Sequence, residues 1–235
     1  MVSKFALAVN TSTTNILSTQ CLIVGGFVRD SLLGISPKDI DIEVFGIQQA
    51  ELDKIIRKLF SKFDIQQSKK FGTWAVNTKN GELNISLPRN ETKIGKGYFG
   101  FKIELDPALS INQAATRRDF TVNAIYMNPL TNQIIDPYNG QKDLKTKTLR
   151  AVNMASFAED PLRLYRATQF VARFNLKVEP KTLKLLKIMA KSDEIKTLSE
   201  KRVKAIIQKM FSSKANPKLG LNLAKMLGIV LPNSK

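Results

Sequence analysis

From Asp39 to Val44 the sequence alternates strictly: Asp39, Ile40, Asp41, Ile42, Glu43, Val44. Only an extended strand satisfies a period of two, because side chains two apart share a face while their neighbours point away. The stretch "DIDIEVF" therefore predicts a strand with one aliphatic and one acidic face. On such a strand Asp39 and Asp41 lie roughly 6–7 Å apart. Two carboxylates this close repel each other unless a cation lies between them. Oxygen donors of this kind suit a hard divalent ion such as Mg2+, which keeps open positions for phosphate oxygens. A solvated edge strand with scattered acids has the same local pattern, so the neighbouring residues decide between the two.

Just upstream, the apolar run "CLIV" ends in Gly25 and Gly26, and "VRDSLLG" follows as a short helix closed by Gly34. Glycines between a strand and a helix let backbone amides approach an anion, and the helix N-terminus adds a favourable dipole. Arg29 and Asp30 lie in the first turns of that helix. A glycine turn, an arginine and a two-aspartate strand together form a coherent site for a nucleoside triphosphate with a metal ion.

The composition narrows the chemistry. The chain contains no histidine and one cysteine, Cys21. That excludes a catalytic triad, a histidine base, a zinc–imidazole site and a disulfide framework. A general base or metal ligand must then be a carboxylate. No apolar run approaches the ~18 residues that span a bilayer, and "FALAV" is too short for a secretory signal. The expectation is a soluble, cytoplasmic protein that does not engage a membrane. Charge is uneven: residues 1–140 carry 16 Lys+Arg against 13 Asp+Glu, and residues 141–235 carry 21 against 7. Such a cationic second part suits a polyanion.

Periodicity divides the chain in the same place. The N-terminal stretch ahead of "CLIV", polar in "NTSTTN" with one apolar patch, is expected to be a helix or arm, and the order strand–helix–strand–helix–strands that follows predicts a mixed sheet with packed helices. "QAELDKIIRKLFSKF" is the second helix, and "WAVNT", "ELNISL" and "FKIEL" are strands. From Ser156 the period becomes helical. Ser156 and Glu159 form an S-x-x-E capping box for the helix that follows. "VKAIIQKMF" carries one apolar stripe. Asn216–Pro217 and Gly228 bracket a last helix.

The stretch "GGFVRDSLLGISPKDIDIEVFG" resembles the signature of the tRNA nucleotidyltransferases (CCA-adding enzymes, class II) and their bacterial poly(A) polymerase relatives. "RRDFTVNAIYMNP", "AEDPLRLYRATQFVARF" and "LSEKRVKAIIQKMFSSKANPKLGLNLAKMLGI" follow in the family's order. The resemblance implies an α+β fold. Residues 1–150 would form a polymerase-β-like head with a mixed sheet, and residues 151–235 an all-α, basic neck. It implies a transferase that adds C and/or A to the 3′ end of tRNA from CTP and ATP, with CC-adding, A-adding and poly(A)-adding relatives as alternatives. A non-catalytic RNA-binding protein derived from such an enzyme is the rival of another class.

By the same resemblance Asp39 and Asp41 are catalytic and hold Mg2+, and Gly25, Gly26 and Arg29 bind nucleotide. Arg118 reaches the triphosphate, Asp119 the ribose side, and Arg166 phosphate or base. Asn123 faces the same way as Asp119 if its segment is helical. Asp160 and Arg163 select the base. Cytosine and adenine each present an amine donor beside a ring-nitrogen acceptor, the complement of a carboxylate beside a guanidinium. Asp160, Arg163 and Arg166, three apart, are expected on one helical stripe. "LPRNETKIGKGYFGFK" is the expected flexible loop.

Three departures accompany the resemblance. The family's third carboxylate corresponds to Asn84, with Glu82 or Glu43 as substitutes, or with two carboxylates serving alone. A further arginine of the family pattern is Gln169. The sequence stops soon after the neck, short of the relatives' body and tail helices, so it is either a minimal form or a fragment, with an oligomer or a partner protein possible.

Overall fold

The computed structural model describes residues 1–12, 19–37, 39–79, 81–95, 100–212 and 214–232. Of the sequence expectations, part of the polar stretch (residues 13–15) and the tip of the expected loop (residues 96–99) lie outside the described residues. The chain forms two compact units. One comprises Met1–Thr92, Ile103–Thr116 and Asn123–Gln141, the other Lys93–Lys102, Arg117–Val122 and Lys142–Lys235.

The first unit opens with helix α1 (Val2–Ser12), which buries Phe5, Ala6 and Val9. Strand β1 (Gln20–Val24), helix α2 (Gly26–Leu32), strand β2 (Ile40–Phe45) and helix α3 (Gln49–Leu59) follow. Then come β3 (Asp64–Ser68), β4 (Thr73–Thr78) and β5 (Gly81–Ser86). Strands β6 (Arg89–Lys93) and β7 (Phe101–Leu105) make a separate two-stranded sheet. The expected loop over Leu87–Lys102 therefore contains β6 and runs into β7, because Arg89–Lys93 finds a pairing partner that composition does not indicate. Helix α4 (Ile111–Ala115) starts at a Ser110–Gln113 capping box, and the short strands β8 (Tyr126–Met127) and β9 (Ile134–Ile135) complete the main sheet.

That sheet has seven strands in the order β3-β4-β5-β2-β1-β8-β9. It is mixed, because β2 runs parallel to β5 and antiparallel to β1. The parallel pair needs a long crossover, which α3, β3 and β4 supply. Helix α3 buries Leu52 and Ile56. Its Asp53 accepts from Trp74 Nε1 at 2.8 Å and from Arg57 Nε at 2.8 Å, which ties the helix to β4. In β2 the aliphatic face is buried as expected, with Ile42 and Val44 fully enclosed. The acidic face departs from expectation at its far end. Glu43 is also fully buried and accepts from the Tyr126 hydroxyl at 3.1 Å. A central strand is covered on both sides along most of its length, so only its first residues are open.

In the second unit, helix α5 (Gly140–Lys145), whose first two residues belong to the first unit, leads to β10 (Thr148–Leu149), α6 (Met154–Ala158) and α7 (Leu162–Phe174). Strand β11 (Lys177–Val178), α8 (Pro180–Met189), α9 (Glu200–Gln208) and α10 (Pro217–Leu227) follow. A short parallel ladder joins β10 to β11 among the helices.

The capping box expected at Ser156 and Glu159 does not form. Ser156 lies inside α6, whose cap is Asn153, with the side-chain oxygen accepting from the Ala155 and Ser156 amides. Helix α7 starts two residues after Asp160, so Asp160 precedes the expected stripe rather than standing in it. Asn216, Pro217 and Gly228 bracket α10 as expected, with Gly228 left-handed at φ 68°.

Two outcomes follow from this packing. A Cβ at Gly220 would sit 2.7 Å from the Thr168 carbonyl oxygen and 2.5 Å from Met210 Cε. A backbone atom cannot yield cheaply, so Gly220→Ala is expected to destabilise the fold by about 1–3 kcal/mol in denaturant unfolding. A change below about 0.5 kcal/mol, the scatter of neutral substitutions, would show that α7 and α10 are not in close contact. Burial pushes the Cys21 thiol up to about 12. Native protein at pH 8 should therefore resist iodoacetamide, whereas unfolded protein reacts fully; mass spectrometry reads both.

Candidate active site

Register places the acidic pair. Val24 stands opposite Asp41, so the glycine turn after Val24 leaves the sheet at the same end as Asp39 and Asp41. On the other side Asp41 is the ladder partner of Asn84. In-register neighbours in a sheet lie roughly 4.8 Å apart and direct their side chains to one face. Asp39 is exposed just before β2, and Asp41 and Asn84 are half-buried. The two substitutes considered for the third carboxylate do not join them. Glu43 is enclosed with Tyr126, and Glu82 is exposed opposite Asn77. Among the described residues no group of three carboxylate, histidine or cysteine side chains gathers. Asp39, Asp41 and Asn84 all carry side-chain oxygen, the hard type of donor that Mg2+ takes.

The glycine turn is more constrained than its sequence indicates. Gly25 has φ 77°, a left-handed conformation that glycine adopts without strain. Its N–H donates to the Ile125 carbonyl at 3.3 Å. The N–H groups of Gly26 and the residues after it open helix α2, where α-helical geometry leaves donors pointing outward. Arg29 is buried. Its Nε donates to Asp30 at 2.8 Å and another guanidinium nitrogen to Asn123 Oδ1 at 2.5 Å. Asn123 ends a 3-10 turn over Thr121–Asn123. Arg29 thus braces the turn from within.

In the second unit the "RRDF" stretch is held by strand-like bonds. Phe120 bridges Ala151, Thr121 N–H donates to Arg150 O at 2.9 Å, and Val152 N–H to Asp119 O at 3.1 Å. Behind it, the Thr121 hydroxyl donates to Asp143 at 2.7 Å and Asp143 pairs with Arg150. The Asp143 hydrogen bond raises the Arg150 pKa against the opposing effect of burial. Asp119 is buried and accepts from Arg166 Nε at 2.6 Å and from the Phe120 amide at 2.7 Å. Two residues expected at the site from separate motifs are therefore partners of each other. Arg118 is half-buried beside them.

Asp160 and Arg163 stand at the start of α7. The Asp160 carboxylate accepts from the Leu162 amide at 3.0 Å. Arg163 is buried, donates to the Ser156 carbonyl at 2.9 Å and the Arg117 carbonyl at 2.5 Å, and lies 5.3 Å from the centre of the Phe157 ring. Both side chains are fixed by backbone groups, which holds a carboxylate and a guanidinium within one helical turn. Gln169 is buried within α7.

Sequence spacing gave no sign of the Arg29–Asn123, Glu43–Tyr126 and Asp119–Arg166 pairs, whose members are 94, 83 and 47 residues apart.

Comparison with known proteins places the chain in a family. The family profile for the poly(A) polymerase head domain matches residues 21–150. A multifunctional CCA protein of Xanthomonas oryzae pv. oryzae is 38% identical over 188 residues, covering 77% of this chain and 42% of the relative. A multifunctional CCA protein of Xylella fastidiosa is likewise 38% identical over 188 residues, with the same coverage. Among solved structures, the Thermotoga maritima CCA-adding enzyme complexed with tRNA superposes with a TM-score of 0.75 at 26% identity. It covers 97% of this chain and 50% of that one. A CCA-adding enzyme in complex with CTP gives a TM-score of 0.74 at 28% identity, over 96% of this chain and 51% of that one. The chain thus spans about half the length of the relatives it matches. With its mixed sheet, glycine turn and paired aspartates, the chain belongs to the tRNA nucleotidyltransferase and poly(A) polymerase family.

Proposed function

We propose that the protein is a metal-dependent, template-independent nucleotidyltransferase that adds C and/or A to the 3′ end of tRNA, using CTP and ATP and releasing pyrophosphate. One observation carries this reading. The β2 register puts Asp41 and Asn84, both half-buried, with exposed Asp39 just ahead, at the sheet end where the glycine turn emerges. The chain's likeness to multifunctional CCA proteins, to a CCA-adding enzyme complexed with tRNA and to one complexed with CTP supports it. Residues 1–150 act as the head and residues 151–235 as the neck.

Asp39 and Asp41 hold Mg2+, with Asn84 as a neutral oxygen donor. Bound there, the ion would lower the energy of the developing charge as the RNA 3′-oxygen bonds to the α-phosphorus and the bond to the β-phosphate oxygen breaks. Gly26 and the amides after it receive phosphate oxygens, while Gly25 and Arg29 keep that turn in shape. Arg118 reaches the triphosphate. Asp119 orients Arg166 toward the nucleotide and faces the ribose side itself. Asp160 accepts from the exocyclic amine of cytosine or adenine, and Arg163 donates to the ring nitrogen beside it. Uracil and guanine present the reverse order and are rejected. Among the described residues no helix is long and apolar enough to cross a membrane.

Asn84 and Gln169 are the observations that favour a second reading, a non-catalytic RNA-binding protein. Incubation of the full chain with Mg2+, single labelled nucleotides and tRNA ending before, within or after CCA separates the readings. It also distinguishes CCA, CC, A and poly(A) addition. Incorporation is expected, with a loss of at least about a hundredfold in Asp39→Ala and Asp41→Ala, as when a transition-state charge loses its stabilising group. Absent incorporation by the unaltered chain would leave the binding reading.

Specificity is tested separately. Asp160→Ala is expected to cut the preference for CTP and ATP over UTP and GTP by about a hundredfold or more in kcat/KM, because it removes an obligatory hydrogen-bond acceptor. An unchanged preference would remove Asp160 from base selection.

A further inference from the structure

Helix α8 carries a feature that the nucleotide site does not use. Lys181, Lys184 and Lys187 fall on one side of the helix, continued by Lys177 before it and Lys191 after it. All five are exposed. The opposite side is anchored, with Thr182, Leu186 and Met189 buried. Within the helix there is no acidic residue. Glu179, just before it, turns inward. Its carboxylate accepts from the Thr182 amide at 2.7 Å and hydroxyl at 2.9 Å and pairs with Arg150 at 3.5 Å. Beyond the helix, Asp193 pairs with Lys196 and Glu194 with Lys93. Among the described residues none of the five lysines has an ion pair or a side-chain hydrogen bond.

Helix α3 places Asp53 four residues before Arg57, and α9 places Glu200 four before Lys204, each forming an ion pair that offsets part of the helix's charge. Helix α10 also lacks acidic residues, but its Lys218 and Lys225 stand seven positions apart and form no continuous stripe. The α8 surface is left cationic although close spacing of like charges is unfavourable. From Lys181 to Lys191 the stripe extends roughly 15 Å at the α-helical rise. Duplex nucleic acid of that length carries about nine phosphate charges.

We propose that this face of α8 is a phosphate rail that binds the double-helical stem of the RNA substrate. The proposal rests on the transferase reading for the identity of the RNA. Its chemistry is backbone contact without base readout, because lysine is a flexible point charge and A-form helices are recognised largely by shape and phosphate. One exposed apolar side chain, Ile188, interrupts the stripe. That is too little apolar area for a membrane-lying helix.

The test is equilibrium binding of the full chain to a fluorescent RNA hairpin across a salt series. The variant carries Lys181→Gln, Lys184→Gln, Lys187→Gln and Lys191→Gln. The slope of log K against log salt should fall by roughly 3–4, taking the duplex coefficient of about 0.9 per phosphate contact. Affinity near 0.1 M salt should drop more than tenfold, and CTP binding should stay unchanged. Lys184→Gln alone should lower the slope by about 0.9, which keeps the measurement available if the fourfold variant folds poorly. The control variant removes four exposed charges from the other unit: Lys54→Gln, Lys58→Gln, Lys62→Gln and Lys79→Gln.

An unchanged slope in the α8 variants, or an equal fall in the control, overturns the rail. So does α8-dependent binding to anionic phospholipid vesicles with no effect on the hairpin. Incorporation is not measured here. Failure of the transferase reading would show in the nucleotide assay, while failure of the rail would show in the salt slope.

Discussion

The register of strand β2 is the constraint on which the rest of the first unit depends. The strand lies between β1 and β5, with hydrogen-bonded neighbours on both sides. A slip of one residue would exchange the faces, driving Asp41 into the position of Ile42 and exposing the aliphatic side chains. An unpaired carboxylate among fully buried aliphatics is costly enough to forbid that arrangement. A slip of two would preserve the faces but remove Glu43 from Tyr126, orphaning a buried carboxylate. Aliphatic packing thus fixes which face the acids occupy, and the Glu43–Tyr126 hydrogen bond fixes how far along the strand they sit. The acidic pair reaches solvent only at the strand's first residues because every later position is enclosed.

The second unit solves a related problem with aromatic packing. Phe120 contacts both Phe157 and Phe170 with ring centres 5.3 Å apart in each case. That cluster anchors the segment carrying Arg118 and Asp119 to helices α6 and α7. Asp119 and Arg166 then complete the attachment with a charge-assisted bond. Arg163, spread over two carbonyls and a ring, is held in one arrangement by its neighbours. In the proposed base-selecting role, a side chain immobilised this way would lose less conformational freedom on binding.

What could be foreseen from sequence followed locality. The alternation in β2, the apolar spacing of α3 and the Asn216, Pro217 and Gly228 punctuation of α10 are short-range patterns, and the structure contains all three elements. The failure at Ser156 is also local. Its capping box competed with Asn153, a strong cap three residues earlier, and Asp160–Pro161 then provided a separate start for α7. Strands of two residues, such as β8 to β11, carry no period and left no trace. The largest omission is the set of pairs joining distant segments. Arg29 was legible as part of a glycine-turn motif, but its burial depends on Asn123, which arrives from another part of the chain. Burial of a charged residue is a tertiary fact, and the spacing of neighbours does not encode it.

Asn84 changes the electrostatics of the site more than its geometry. An amide fits the space of a carboxylate and keeps an oxygen donor beside Asp41, so the sheet accommodates it without rearrangement. It carries no charge, however. Three carboxylates at this separation would repel one another strongly, and the fold would have to hold them together against that repulsion. With Asn84 only the Asp39–Asp41 repulsion remains, and exposed Asp39 can relieve it by turning into water. Under the proposed function, an amide here would weaken the attraction for a divalent ion, since two formal charges would act where three could. The phosphate oxygens of a nucleoside triphosphate bound beside it would then supply the missing negative charge. On electrostatic grounds, then, ion and nucleotide should bind together more favourably here than either does alone.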